Sequence, residues 1–303
     1  MNNYERLEGM VAATFTPMDE NGDVNLSVID KYADWIASTP VKGVFVCGTT
    51  GEFSSLTIDE RKAVLEKWVA SAAKRFKVIA HVGSNCQRDA MELASHAAQT
   101  GADAIASIAP SFFKPGMVDE LVDFFAPICR AASELPFYYY NMPSITGVNL
   151  PVDKFLIEGK KKIPNLVGTK FTYNNLMEMG ACIDLEQHKF EVLHGFDEIL
   201  IAGLSMGAVA GVGSTYNYIP NVYHAIFESM KKNEVETARA WQMKSIRTVE
   251  VIIKYGGGVR GGKAIMKLIG LDCGSCRLPI KAFSTEEYEK LKGDLDAIKF
   301  FEF

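Results

Sequence analysis

A lysine near the end of an otherwise apolar run carries the strongest chemical implication in this sequence. Lys170 lies in LVGTKFT (from Leu166), a run typical of a buried strand. Burial removes water from the side chain and favours the neutral amine over the ammonium ion. A neutral amine attacks a ketone and forms a Schiff base. The alternative is a lysine that extends from the strand end into solvent.

A second strand-like run, PFYYYNMP (from Pro136), ends on a phenol. Consecutive tyrosines fit a pleated, half-buried surface, and the Asn-Met-Pro that follows breaks the strand just after Tyr140. A phenol beside an imine and an acidic partner can take up and return a proton. Taken alone, Tyr140 could also be an ordinary strand-end tyrosine with its hydroxyl in water. Joint placement of Tyr140 and Lys170 on adjacent strands is what favours catalysis.

Two further motifs supply groups that bind polar substrates. The turn GTTG (residues 48–51) offers backbone N–H groups and the hydroxyls of Thr49 and Thr50, which together suit a carboxylate. Asp197 and Glu198 could bind sugar hydroxyls. As alternatives, the first motif is a plain tight turn and the two acids favour the first turn of a helix.

The elements that would position these residues follow a regular order. Eight short β-rich runs alternate with helical segments, and they begin at Val11, Gly43, Lys77, Ala104, Pro136, Leu166, Glu191 and Ala208. Strand-helix units in series imply parallel strands and right-handed crossovers. The predicted fold is therefore α/β, a (β/α)8 TIM barrel. A doubly wound sheet is the alternative, but its first strand would lead into a Gly-rich phosphate turn, whereas this one leads into TPMDENGD.

A barrel of this kind gathers the polar residues that close its strands at one face, where the active site forms. The runs numbered two, five, six, seven and eight each contribute such residues. The predicted site residues are Thr49, Thr50, Tyr140, Lys170, Thr172, Gly195, Asp197, Glu198 and Ser214.

The helical segments have recognisable ends. Thr57-Ile-Asp-Glu60 is a capping box, and the next helix runs from about Asn85 to Gly101, a C-terminal glycine. Four helical segments follow the last strand, at residues 220–231, 234–255, 263–269 and 285–298. We therefore predict a barrel over residues 1–232 and a C-terminal helical appendage over 233–303, packed on the barrel.

One glycine-rich segment resembles a nucleotide-binding loop. GGVRGGKA (residues 257–264) has the spacing G-x-x-x-x-G-K, but Ala264 replaces the Ser or Thr whose hydroxyl holds magnesium. The residues before it continue a helical pattern rather than a strand. The segment is interpreted as a glycine-rich hinge between helices, with an ATP site as the alternative.

Composition excludes several other classes of protein. The 303 residues are 48% hydrophobic and 23% charged, with a net charge of -5 and no long basic run, so we expect neither disorder nor nucleic-acid binding. MNNYERLEGM lacks the apolar run of a signal peptide, and no segment approaches a membrane span. We expect a cytoplasmic protein without a membrane partner.

The metal-binding side chains do not form a metal site in the sequence. The six cysteines lie mostly in apolar stretches, and CGSC (residues 273–276) lacks the second pair or the histidines that a zinc site needs. The five histidines form no metal-binding motif, and His81 and His194 are expected to fill core positions or positions just behind the residues that contact substrate. No catalytic metal is expected.

Four motifs, in this order and spacing, resemble those of the N-acetylneuraminate lyase family, within the larger dihydrodipicolinate synthase-like superfamily of class I aldolases. They are GTTGE (48–52), YNMP (140–143), GTKFT (168–172) and GFDE…GSTYN (195–217). The resemblance covers the whole barrel and the appendage.

The resemblance implies a role for each predicted site residue. Lys170 would form the Schiff base and Tyr140 would transfer protons. Thr49 and Thr50 would bind the substrate carboxylate, and the hydroxyl of Thr50 would also contact the tyrosine. The positions that match the binding of the sugar's polyhydroxyl tail are Gly195, Asp197, Glu198 and Ser214.

Two positions distinguish subgroups of the superfamily. Synthases of dihydrodipicolinate typically carry an arginine where this chain has Ile145, and an apolar residue suits a neutral sugar aldehyde better than a carboxylate-bearing substrate. Many members also carry a tyrosine after strand four that reaches a neighbouring subunit, whereas this chain has Phe112 and Phe113. Phenylalanine relays no proton, so a relay would run through Thr50, Tyr140, substrate groups or water.

The implied activity is reversible aldol cleavage of N-acetylneuraminate to N-acetylmannosamine and pyruvate, without metal or organic cofactor, in a homotetramer. Two alternatives stay open. One is another pyruvate-dependent class I aldolase with a different aldehyde. The other is a non-catalytic barrel that binds sialic acid or pyruvate.

Overall fold

Eight parallel strands form a closed barrel in the computed structural model, which describes residues 4–303. The strands are β1 (Gly9–Ala13), β2 (Gly43–Val46), β3 (Lys77–His81), β4 (Ala104–Ile108), β5 (Phe137–Asn141), β6 (Leu166–Phe171), β7 (Glu191–His194) and β8 (Ala210–Gly213). Each strand pairs with its neighbour in sequence, and β8 closes the barrel against β1. The predicted (β/α)8 fold is confirmed.

Twelve α-helices are present in the described part of the chain. They are α1 (Val28–Ala37), α2 (Ile58–Ala72), α3 (Gln87–Thr100), α4 (Val118–Arg130), α5 (Pro143–Thr146), α6 (Val152–Lys162), α7 (Leu176–Asp184), α8 (Leu200–Ser205), α9 (Pro220–Lys231), α10 (Val235–Lys254), α11 (Gly257–Leu268) and α12 (Thr285–Ala297). In residues 4–303, no helix has the length and apolar character needed to cross a bilayer.

The helix ends follow the capping signals. Thr57 and Glu60 form the predicted capping box at the start of α2. Gly101 ends α3 with φ +88°, a left-handed conformation that glycine adopts without steric cost. Local sequence therefore fixed these boundaries to within a residue or two.

The strands are buried on both faces, which explains their nearly continuous apolar character. Tyr138 and Tyr140 belong to the cluster inside the barrel, together with Phe45, whereas Tyr139 packs outward against the helices. This alternation follows from the two-residue period of a strand. It directs Tyr140 toward the interior at the carboxyl end of β5.

Two strand boundaries differ from the prediction by two residues. β1 begins at Gly9 rather than Val11, because Gly9 pairs with Ala210 across the closing seam of the barrel. β8 begins at Ala210 rather than Ala208, because Gly207 still forms the preceding turn with φ +103°. Barrel closure, which joins residues far apart in sequence, sets the start of β1, and a local turn sets the start of β8.

The helices α10 to α12 follow the barrel, and the predicted boundary at 232/233 falls in the turn between α9 and α10. The prediction of a glycine-rich hinge was wrong in part, because residues 257–268 form α11 and only Gly256 and Gly257 make the turn before it. A Cβ at Gly262 would lie 2.5 Å from the ring of Phe15. The glycines therefore let α11 pack closely on the barrel, and the ATP-site alternative has no strand before its loop.

Candidate active site

A cavity of about 280 Å³ opens at the carboxyl ends of the strands. All nine predicted site residues line it: Thr49, Thr50, Tyr140, Lys170, Thr172, Gly195, Asp197, Glu198 and Ser214. A larger, open crevice lies at the opposite end of the barrel, near Lys42, Lys77 and Asp103, and contains none of them. The chemically coherent site is therefore the smaller cavity.

Lys170 projects from β6 into this cavity with only 4% of its surface exposed. Its Nζ lies 3.9 Å from the ring centroid of Tyr140 and 4.3 Å from that of Phe45. The strand register sets this contact, since Lys170 lies opposite Tyr140 in the β5–β6 pair. Within residues 4–303 no carboxylate forms a salt bridge with Lys170, so its amine faces the cavity beside two aromatic rings.

The hydroxyl of Tyr140 has two neighbours at the cavity wall. It lies 3.2 Å from Oγ1 of Thr49 and 3.0 Å from Sδ of Met142. The expectation that Thr50 contacts the tyrosine was wrong: among the described residues, the threonine hydroxyl at hydrogen-bond distance is that of Thr49. Because a thioether accepts only weakly, the phenol keeps its capacity to exchange a proton with a bound substrate.

The turn that carries the two threonines is held in place by contacts between Glu52 and the C-terminal part of the chain. Glu52, at φ +55°, accepts a hydrogen bond from the backbone N–H of Arg277 and forms a buried ion pair with Lys263, at 2.7 Å. Both side chains of the pair are 2% exposed. Segments from the C-terminal part of the chain therefore fix the turn, and no spacing of residues predicts that contact.

His81 and His194 are buried, as predicted. His81 packs its ring against Phe45, Phe53 and Tyr140, and burial lowers its pKa well below the usual value. The neutral ring donates from Nδ1 to the carbonyl of Cys47, 2.8 Å away. His194, on the outer face of β7, also has its pKa lowered by burial, to about 4. Within residues 4–303, no three His, Cys, Asp or Glu side chains cluster as a metal site.

Asp197 is the buried acid of the cavity, at 5% exposure. Its Oδ2 accepts hydrogen bonds from the backbone N–H of Thr215, at 2.9 Å, and from the hydroxyl of Thr215, at 2.6 Å. Burial raises its pKa to about 6, although both hydrogen bonds oppose the shift. A Cβ at position 213 would overlap the carboxylate, so Gly213 at the end of β8 makes room for it.

The remaining predicted residues line the same side of the cavity. Glu198 and Ser214 are partly exposed there. Oγ1 of Thr172 is buried and lacks a hydrogen-bond partner among the described residues. A Cβ at position 195 would overlap that hydroxyl, which explains a glycine at the end of β7.

Sequence reasoning missed an apolar wall that closes the cavity from outside the barrel. The wall consists of Val249, Ile252 and Ile253 from α10 and Gly258 and Val259 from α11. Ile253 is 67% exposed, which is unusual for isoleucine and marks the cavity opening. An exposed apolar residue cannot be recognised before the fold is known, so the sequence carried no usable signal.

Three residues that distinguished the subgroups lie outside this cavity. Ile145 is on α5, is 62% exposed and does not line the cavity. Within a single chain, it therefore makes no direct contact through which it could select the aldehyde. Phe112 and Phe113 stack edge to face, with centroids 5.0 Å apart. They are 78% and 86% exposed on the loop after β4.

A buried lysine amine beside a phenol at the carboxyl ends of an eight-stranded barrel supplies the two groups that class I aldolase chemistry needs. The chain belongs to the dihydrodipicolinate synthetase family, whose model matches residues 6–298. It is 42% identical to the N-acetylneuraminate lyase of Mus musculus over 300 residues, which cover 98% of this chain and 94% of the relative.

Solved structures extend the similarity to three dimensions. The N-acetylneuraminate lyase of Proteus mirabilis superimposes with a TM-score of 0.94 at 36% identity, covering 98% of this chain and 100% of that one. The N-acetylneuraminate lyase (sialic acid aldolase) of Aliivibrio salmonicida gives a TM-score of 0.94 at 38% identity, covering 98% of each chain.

Proposed function

We propose that the protein is an N-acetylneuraminate lyase, which cleaves N-acetylneuraminate reversibly to N-acetylmannosamine and pyruvate. The observation that carries the proposal is the contact between Lys170 and Tyr140, 3.9 Å from Nζ to the ring centroid, in one cavity with Asp197. The similarity to lyases of that name over nearly the whole chain supports the substrate.

The reaction begins with attack of the Lys170 amine on the C2 ketone of the open-chain sugar. Loss of water gives an iminium ion at C2. Tyr140, directly or through the substrate carboxylate, accepts the proton of the C4 hydroxyl, and the C3–C4 bonding electrons move toward the iminium nitrogen to form an enamine. N-acetylmannosamine leaves as the aldehyde. Protonation of the enamine at C3 and hydrolysis release pyruvate and the free lysine.

Thr49 has a second role in this scheme. Its hydroxyl lies 3.2 Å from that of Tyr140, so it can orient the phenol or pass a proton to it. We assign Thr49, rather than Thr50, to the tyrosine relay. Thr50 keeps its proposed role with the substrate carboxylate, where it acts with the backbone N–H groups of the turn.

The opposite side of the cavity would bind the polyhydroxyl tail. Asp197 and Glu198 present carboxylate acceptors, and Ser214 presents a hydroxyl that can donate or accept. The hydroxyl of Thr172, which has no hydrogen-bond partner within residues 4–303, and the backbone at Gly195 complete this side. Hydrogen bonds to several sugar hydroxyls would select a long substrate over a short 2-keto acid.

We also infer a cytoplasmic homotetramer. The aromatic pair Phe112 and Phe113 supports assembly, because two adjacent phenylalanines at 78% and 86% exposure favour burial against another surface. Sedimentation equilibrium of the wild type and of Phe112→Ser/Phe113→Ser would test this. A smaller assembly for the double variant supports the inference, and a monomeric wild type contradicts it.

A panel of cleavage assays tests the substrate assignment. The purified protein is offered N-acetylneuraminate and the shorter acid 2-keto-3-deoxygluconate, and released pyruvate is measured in both reactions. We expect a higher kcat/KM for N-acetylneuraminate. A preference for the short acid would assign the protein to another pyruvate-dependent aldolase, and no cleavage of either substrate with retained binding would indicate a non-catalytic barrel.

A further inference from the structure

A chain of buried hydrogen bonds connects α10 to the carboxylate of Asp197. Oγ1 of Thr215 lies 2.5 Å from the hydroxyl of Tyr223, which lies 2.8 Å from Oγ of Ser245. Nε2 of Gln242 donates to that Oγ at 3.1 Å. All four side chains are at most 4% exposed, so they exchange no hydrogen bonds with bulk water.

The charge of Asp197 fixes the direction of these hydrogen bonds. Thr215 has a single hydroxyl proton, and the stronger, charge-assisted bond directs it to Oδ2 of Asp197. With that proton on Asp197, the remaining donor for the 2.5 Å contact is the hydroxyl of Tyr223. The hydroxyl of Ser245 has two acceptors within reach, Tyr223 at 2.8 Å and the backbone carbonyl of Asp197 at 3.4 Å, and the shorter contact favours donation to Tyr223. Gln242, which has two amide protons, starts the series as a pure donor. Every proton in the chain therefore points toward the carboxylate.

The same helix also anchors the backbone of Asp197. Nε2 of Gln242 donates to the backbone carbonyl of Asp197 at 3.0 Å, and Oε1 of Gln242 accepts from the backbone N–H of Ile201 at 2.9 Å. Gln242 thus contacts the first residue of the short turn that carries the acid, residues 197–199, and the start of α8, which follows it. The carboxylate and its backbone are both set from α10.

Formal charges near Asp197 are few and have opposing effects. Lys170 on β6 lowers its pKa, whereas Glu198 on the same turn raises it. The phenols of Tyr216 and Tyr218 also face the acid, and burial raises their pKa values well above the ordinary value, so they stay neutral. Oriented neutral donors are therefore the main local support for a negative charge at this position.

We propose that Ser245 and Gln242 are positioning residues that, through Tyr223 and Thr215, hold Asp197 as an ionised hydrogen-bond acceptor for the sugar tail. The ionisation part stands on the hydrogen-bond geometry alone, and the identity of the bound group rests on the proposed function. Residues of the appendage thereby orient the group that selects the substrate, whereas the reactive residues Lys170 and Tyr140 lie on strands of the barrel.

The direct test measures the ionisation of Asp197 without any substrate. Infrared spectra are recorded from pH 4.5 to pH 8, and subtraction of the Asp197→Asn spectra isolates the carboxyl band of this residue. Ser245→Ala removes the donor to Tyr223, so the pH midpoint of that band should rise by about half a unit to one unit. Ser245→Thr, which restores a hydroxyl, should return the midpoint toward the wild-type value.

Thr248 supplies a matched control on the same helix. It is fully buried, and its hydroxyl bonds the carbonyl of Lys244 within α10 rather than the chain. Thr248→Val removes one buried hydroxyl but none of the hydrogen bonds that lead to Asp197, so the pH midpoint of the Asp197 band should stay unchanged. An equal shift in Ser245→Ala and Thr248→Val, or none in Ser245→Ala, would overturn the proposal. If Ser245→Ala does not fold, Tyr223→Phe interrupts the same series of hydrogen bonds. It should raise the pH midpoint of the Asp197 band in the same way.

A kinetic test separates this proposal from the proposed function. In Ser245→Ala, KM for N-acetylneuraminate should rise about 3- to 10-fold, while the rate of borohydride trapping with pyruvate stays at the wild-type value. An unchanged KM with an unshifted infrared midpoint contradicts the positioning role. A wild type that cleaves no N-acetylneuraminate contradicts the proposed function, and the infrared midpoints then still decide the positioning role.

Discussion

The two sides of the cavity differ in how many hydrogen bonds hold their functional groups in place. On the side formed by β5 and β6, the amine of Lys170 lies over two aromatic rings and the hydroxyl of Tyr140 contacts a thioether and one threonine. On the side formed by β7 and β8, Asp197 accepts two hydrogen bonds and is supported by α10. The reactive groups of Lys170 and Tyr140 therefore make few hydrogen bonds, whereas Asp197, whose carboxylate is proposed to bind the sugar tail, is held by several.

This difference has a chemical reason. A nucleophile and a proton carrier must change partners during the reaction, so strong hydrogen bonds in the resting site would have to break at each step. A group that recognises substrate hydroxyls works best when it is already oriented, because less ordering is needed on binding. The two sides should therefore respond differently to substitution.

The largest effect is expected on the lysine side, from Tyr140→Phe. The variant loses the proton carrier, so kcat for N-acetylneuraminate cleavage should fall by about 10²- to 10⁴-fold. The Schiff base with pyruvate should still form, because Lys170 is intact. Steady-state cleavage and borohydride trapping measure the two quantities separately.

Tyr139→Phe is the matched control for that variant. Tyr139 is adjacent on β5 but packs outward, with its hydroxyl 3.5 Å from Oδ1 of Asn141. Removing this hydroxyl should leave kcat near the wild-type value. An equal loss of kcat in the two variants would mean that a change in strand β5, rather than removal of the Tyr140 phenol, lowers the rate.

A smaller effect is expected on the opposite side, from Asp197→Asn. A hydrogen bond to a charged group contributes about 1.5–3 kcal/mol, so kcat/KM for N-acetylneuraminate should fall by roughly 10- to 100-fold. Trapping with pyruvate should be unaffected, because pyruvate has no polyol tail. Loss of both activities would show that the two sides are not separable.

The pH dependence follows from the raised pKa of Asp197, about 6. The carboxylate is ionised above that pH and takes up a proton below it, which removes an acceptor for sugar hydroxyls. KM for N-acetylneuraminate should therefore rise as the pH falls from 7 to 5 in the wild type. Asp197→Asn has no such titration, so its KM should be nearly flat across this range. A KM that rises equally in both proteins assigns the titration to another group.

The smallest effect separates the two threonines of the turn. Thr49→Val removes the hydroxyl 3.2 Å from that of Tyr140 and should lower kcat by about 3- to 10-fold, the value of one ordinary hydrogen bond. Thr50→Val should instead raise KM for pyruvate in the condensation direction. The reverse pattern would return the relay to Thr50.

Most of the fold and the composition of the site were predictable from sequence. The barrel was recognisable because each parallel strand is a short apolar run followed by a helix with its own capping signal, as in the box at Thr57 and Glu60. The site followed from the fold, since polar residues at the carboxyl ends of parallel strands meet at one face. Lys170 and Tyr140 could be placed at that face because each closes its strand, and the register of β5 with β6 brings them together.

The rest of the site depends on contacts between distant parts of the chain. The pair Glu52 and Lys263, and the bonds from Gln242 to the turn at Asp197, join residues separated by 211 and 45 positions. Neither contact has a local pattern, because each arises only when the appendage packs on the barrel. The choice between Thr49 and Thr50 likewise depended on the three-dimensional path of a tight turn.

The most direct test of the central claim is borohydride reduction in the presence of pyruvate, followed by peptide mass analysis. The wild type should gain the mass of a reduced pyruvate adduct on Lys170, and Lys170→Ala should gain none. Lys267→Ala, which removes a half-exposed lysine on α11, should be modified at Lys170 like the wild type. An unmodified wild type, or equal modification of Lys170→Ala, would contradict Schiff-base catalysis by this protein.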